Sequence, residues 1–125
     1  MKRGTIVLTP FPFTDLTGAK VRPAVVVSPA DRPGDDVVLA FISSLVSRIP
    51  QPTDLPLSPS HADFAATGLK VPSVVKCDKL ATVHRHILLG ELGILSASLT
   101  ERLDACLRSS MCPSVKDTFY RFRTY

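Results

Sequence analysis

The sequence predicts a mainly β domain, a compact antiparallel sheet or barrel covered by one C-terminal helix. Three observations carry this prediction. Eleven prolines stand in 125 residues, grouped at Pro10, Pro12, Pro23, Pro29 and Pro33 and again at Pro50, Pro52, Pro56 and Pro59. That density punctuates short strands and works against long helices. Between the prolines lie short β-branched, apolar runs. Only the stretch from Ser98 combines capping-box spacing with apolar residues at helical intervals. Several short strands followed by one helix fit a sheet or barrel with the helix laid over it.

Taken in order, Thr5–Thr9 reads as a first strand, and Phe11–Val21 as a loop with its turn at Thr17-Gly18. Pro23–Ser28 is almost wholly apolar, as a strand buried on both faces would be. "ADRPGDD" (30–36) is a polar turn cluster. Val37–Ser43 is a second doubly buried strand. Thr53–Leu57 lies between prolines and alternates weakly, which predicts an edge strand. Pro59–Ala66 suits one helical turn with Ser60 as its N-cap. Ser73–Val83 is a further strand. Ile87–Leu95, with two glycines, is a bent strand or a turn into one. In the helix, Ser98 and Glu101 have capping-box spacing, and Leu99, Leu103, Cys106 and Leu107 share a face. Pro113 limits the helix near Cys112.

Length and composition are those of one globular domain with its own core. Fifteen Lys and Arg against eleven Asp and Glu give a formal charge of +4. That excess permits an anionic partner without requiring one. Cys77, Cys106 and Cys112 are odd in number and have no metal-binding spacing. The apolar run Ile6–Leu8 ends at Pro10, too early for a secretory signal, and no stretch is long enough to span a bilayer. The expectation is a cytoplasmic chain with reduced thiols, neither anchored in nor crossing a membrane.

Four places can carry chemistry. Pro23 biases the Arg22 backbone towards an extended entry into its strand, where a guanidinium offers a planar fork to phosphate or snorkels to water. Lys20 projects to the same side if the chain is already extended. "LAFISS" is apolar until Ser43 and Ser44, whose hydroxyls either contact phosphate oxygens or cap the strand end. In "VVKCDKLATVH", strand alternation places Lys76, Asp78, Leu80, Thr82 and His84 on one face, with Lys76 beside Asp78. That couple can hold an anion, or it is a surface ion pair. His84 and His86 offer an acid–base pair or solvated turn residues.

These blocks together, "RGTIVLTPFPFTDLTGAKVRPAVVVSP", "DDVVLAFISS", "GLKVPSVVKCDKLATVHRHIL" and "GELGILS" before a helix, resemble the MazF/PemK-like toxins of bacterial type II toxin–antitoxin systems. The match runs from about Arg3 to Leu107. The resemblance implies an SH3-like β-barrel with a C-terminal helix over residues 1–112, leaving 113–125 as a tail with no counterpart. It implies a homodimer without cofactor or metal that cuts single-stranded mRNA by attack of the 2′-OH on its own phosphate. It also implies a cognate antitoxin as partner and a DNA-binding complex with it. The catalytic residues implied are Arg22, Ser43, Lys76 and Asp78, and the expected RNA contacts are Lys20, Thr17, Ser44 and Phe13. Ser43 stands where the family usually has threonine, keeping the hydroxyl without the methyl that fixes its rotamer. Lys76 stands for arginine, keeping charge without the fork. Phe11 and Phe13 either stack on bases or pack in the core. The alternative is a non-catalytic barrel that binds a protein partner, as a topoisomerase poison or an inactive toxin remnant would.

Overall fold

A computed structural model of the chain describes residues 1–11, 20–44, 49 and 51–111. Six strands form one antiparallel sheet: β1 (Thr5–Phe11), β2 (Lys20–Val26), β3 (Asp36–Ser43), β4 (Asp54–Leu57), β5 (Ser73–His84) and β6 (Gly90–Ile94). Their spatial order is β4-β5-β3-β2-β1-β6. One helix, α1 (Ala97–Met111), follows. The architecture is the expected mainly β one with a C-terminal helix. Among the described residues no helix is long and apolar enough to cross a membrane.

The central strands are buried on both faces, as their apolar composition predicts. Ile6, Val25, Ala40, Ile42, Leu55, Val75 and Cys77 line one face and pack with Leu95, Leu99 and Leu103. Val7, Ala24, Val26, Leu39 and Phe41 form a second cluster on the opposite face. The helix buries Leu99 and Leu103, with Cys106 and Leu107 packed beside them, so the apolar stripe read from the sequence is the one that docks. Arg3 ties this helix to the sheet. Its Nε–H donates to the Val27 carbonyl at 2.8 Å, and its Nη2 pairs with Asp104 Oδ1 at 2.6 Å.

Two caps differ from expectation. The Ser96 hydroxyl, not Ser98, accepts the Leu99 N–H at 3.3 Å, because the helix starts one residue before Ser98. Ser60 starts no helical turn. Its N–H donates to the Ser58 hydroxyl at 3.3 Å, and the 3-10 turn lies later, at Ala65–Thr67. The end of the helix near Cys112 and Pro113 lies outside the described residues, as does the Thr17-Gly18 turn.

The sheet curls so that its edges approach. β4 is the predicted edge strand, and β6 is the other edge. The 3-10 turn that follows β4 lies directly on β6. A side chain at Gly93 would run into the Ala66 carbonyl and the Thr67 backbone, and one at Gly68 into the Leu92 carbonyl. Gly68 also has φ +73°, a left-handed conformation that glycine adopts without penalty. These two glycines let backbone touch backbone and close the half-barrel.

The pairing of β3 with β5 contains the irregularity that shapes the rest. Ser43, Ile42 and Phe41 face Val74, Val75 and Lys76, but Ala40 faces Leu80. Residues 77–79 therefore have no partner on β3. Three unpaired residues are an odd number, so side-chain alternation along β5 reverses across the bulge. Cys77 and Leu80, three apart, both pack towards the helix-side core.

Gly93→Ala is expected to cost about 1–3 kcal/mol, the usual cost of overpacking, because the clash is with backbone. Denaturant or thermal unfolding would read it. Ser96→Ala is expected to cost about 1 kcal/mol as a lost N-cap, with Ser98→Ala near neutral in the same assay.

Candidate functional site

The ladder between β2 and β3 ends at Ala24 and Phe41. Beyond that rung comes Pro23, which carries no amide hydrogen. The two strand ends part there, and a cleft of about 530 Å³ opens between them and β5. Arg22 stands on one side, exposed, from β2. Ser43 and Ser44 stand at the end of β3. Lys76 and Lys79 enter from β5. Phe41, Leu69 and Val71 give the cleft an apolar wall.

Lys76 is held in place from below. Its Nζ donates to Asp54 Oδ1 at 2.9 Å, and the second carboxylate oxygen accepts the Gln51 N–H at 3.1 Å. The Asp54 side chain is 2% exposed and that of Lys76 21%. Burial pushes the Asp54 carboxyl up. The Lys76 ammonium and the Gln51 amide outweigh this and hold it below the usual carboxylate range. Asp54 begins β4, and its own carbonyl accepts the Cys106 thiol at 3.5 Å. The neighbouring Cys77 amide donates to the Thr53 carbonyl at 2.9 Å. Strand, bulge and helix thus meet beneath the lysine.

Of the residues singled out from sequence, Arg22, Ser43, Ser44 and Lys76 line this one cleft. Asp78 does not. It opens on a second hollow of about 450 Å³ beside Cys77, Leu80 and the end of α1. The expectation that Lys76 and Asp78 sit side by side is corrected by the bulge, which turns Asp78 away and brings Lys79 in. The carboxylate that meets Lys76 is Asp54. Lys20, at the start of β2, is exposed two residues from Arg22 and outside the cleft lining. Thr17 and Phe13 lie outside the described residues.

Two functional candidates were missed. Asp54 had a signal, a lone acid opening the apolar strand "DLPL". Lys79 had none, because only the register shift brings it round.

The histidines stand elsewhere. His84 pairs with Asp36 at the far end of β3 from Ser43. Asp36 and Ser43 are seven residue steps apart along β3, roughly 23 Å at the usual rise. The rings of His84 and His86 meet edge to face at 4.5 Å, and His84 Nδ1 accepts the His86 N–H. Among the described residues, Cys77 is buried and Cys106 half-buried. Burial, then the adjacent Cys106, pushes the Cys77 thiol up to about 12, so it stays a neutral thiol rather than a nucleophile. Burial raises Cys106 as well. Among the described residues no three His, Cys, Asp or Glu side chains gather as a metal site.

The fold is that of known toxins. An endoribonuclease bound to its cognate antitoxin from a mycobacterial species superposes with a TM-score of 0.69 at 21% identity, covering 91% of this chain and 97% of that one. A MazE–MazF complex from Deinococcus radiodurans gives 0.68 at 22% identity, covering 91% and 97%. The Mycobacterium tuberculosis toxin MazF-mt6 gives 0.64 at 24%, covering 86% and 95%. No curated protein sequence matches the chain. The family model for the PemK-like, MazF-like toxin of type II toxin–antitoxin systems matches residues 2–111, nearly all of the described chain, and the protein belongs to that family.

Proposed function

We propose that this toxin is an endoribonuclease that cuts single-stranded mRNA in the cleft between β2, β3 and β5. The observation that carries the proposal is the convergence there of Arg22, Ser43 and Lys76, which come from three strands far apart in sequence. A guanidinium, a hydroxyl and an ammonium around one cavity are what a phosphodiester needs as its charge grows in the transition state. The solved mycobacterial structure described as an endoribonuclease shares the fold.

In this mechanism the 2′ oxygen of the substrate bonds to the adjacent phosphorus and the bond to the 5′ oxygen breaks, leaving a cyclic phosphate and a free 5′-OH. Arg22 grips the non-bridging oxygens in a bidentate way. Ser43 donates to the same phosphate. Lys76 protonates the departing 5′ oxygen, and the 2′ proton passes to water, which the open cleft admits. Asp54 is a positioning residue, since it fixes the ammonium through a buried ion pair without touching the cleft. The apolar wall of Phe41, Leu69 and Val71 suits the faces of bases. The nucleophile belongs to the substrate, so no metal-bound water is called for.

In this reading the protein works in the cytoplasm as a homodimer and is silenced by a cognate antitoxin, a partner supported by the mycobacterial endoribonuclease held with its cognate antitoxin and by the Deinococcus MazE–MazF complex. Residues 1–112 form the toxin domain, and 113–125 form a tail that lies outside the described residues.

Arg22→Ala is expected to reduce cleavage of a long mixed-sequence RNA at least about 100-fold, the usual cost of removing one transition-state donor. Gel mapping with end-group analysis in chelator reads it, and unchanged cleavage removes Arg22 from the mechanism.

Asp54→Asn is expected to lower kcat between about 10- and 100-fold with a smaller change in KM, because the ammonium loses its fixed position. The same pair sets a pH dependence of stability. The folded carboxyl titrates below its unfolded value, ordinarily about 3.9. Its contribution is therefore complete above that value and is lost as pH falls through the lower folded one. Wild type should be more stable than Asp54→Asn at pH 7, with the gap closing in melts run below about pH 3.9.

A further inference from the structure

The ribonuclease reading uses Lys76 and leaves Lys79 unexplained. Strand alternation would put Lys79 beside Cys77, in the core. The three-residue bulge instead brings it to the cleft with Lys76, while Asp78 goes to the opposite hollow. The exchange of acid for base changes the charge of the site. Among the described residues, every ionisable side chain lining the cleft is a cation: Arg22, Lys76 and Lys79. Asp54 offsets Lys76. Neither Arg22 nor Lys79 has a carboxylate within ion-pair distance among the described residues. Among the described residues two positive charges remain uncompensated, and one phosphodiester carries a single negative charge.

We propose that Lys79 binds the phosphate next to the scissile one, giving the cleft a second phosphate subsite. Resting on the ribonuclease reading, this assigns the register of the RNA backbone. Arg22, Ser43 and Lys76 surround the reacting phosphate, and Lys79 holds its neighbour along the strand. An exposed ammonium on a flexible stem suits that role, because it meets a phosphate as a point charge and reads no base. The contact exists equally in ground and transition states, so it contributes to binding rather than to the chemical step.

The test uses the full chain and a labelled single-stranded RNA of mixed sequence with 2′-O-methyl groups throughout, which offers no free 2′-OH for attack. Affinity is measured by fluorescence anisotropy at several salt concentrations for wild type, Lys79→Gln and Lys79→Arg, and cleavage of unmodified RNA is followed in parallel. In Lys79→Gln the slope of log affinity against log salt should fall by about 0.7, the value for one phosphate contact on a single strand. KM should rise with kcat kept within about twofold, as for an interaction made equally in both states, and Lys79→Arg should restore the slope. An unchanged slope and KM in Lys79→Gln, with wild type still cutting RNA, overturns the subsite and leaves the ribonuclease standing. Wild type that neither binds nor cuts RNA overturns both.

Discussion

Side chains on a β-strand must alternate, and the break in that alternation that shapes the cleft lies where β5 pairs with β3. Skipping three residues between the rungs Phe41–Lys76 and Ala40–Leu80 reverses the facing of everything beyond. Lys79 is drawn to the cleft, Asp78 is expelled, and Cys77 and Leu80 both reach the core on the helix side. The unpaired segment is anchored instead to the β4 side, through the Thr53 carbonyl and the buried Asp54. The same bulge therefore sets the charge of the cleft and gives its lysine a support.

That support is made of backbone as much as side chain. Asp54 spends one oxygen on Lys76 and the other on the Gln51 amide. Its carbonyl meets the Cys106 thiol of α1. A carboxylate so nearly excluded from water is tolerated because each oxygen has a partner. The helix, pinned at its other side by Arg3 and Asp104, is thus part of the frame that holds the cleft.

Much of this was legible in the sequence. β-branched runs gave β2 and β3 as doubly buried strands, flanking prolines gave β4 as an edge, and leucines at helical spacing gave the docking face of α1. Arg22, Ser43 and Ser44 stood out as polar groups where a strand begins or ends and Lys76 as a cation within one, and it was the family resemblance that joined them into one site. Pairing register is a tertiary property, however, and Lys79 and Asp78 exchanged places because of it. Asp54 went unnoticed because its partner is 22 residues away, across a ladder. Ser60 and Ser98 misled for a local reason. Serine caps wherever a helix happens to start, and that start depends on what the helix packs against.

The parting of β2 from β3 beside Pro23 has a consequence of its own. The hollow is a seam in the main chain, opened where rungs cease, rather than a void carved by small side chains. Its lining can be retuned residue by residue, at Ser43 or at Lys76, while the gap itself persists. Such a scaffold lets the chemistry of the cleft drift without loss of architecture, which suits a poison whose potency must stay matched to its antidote.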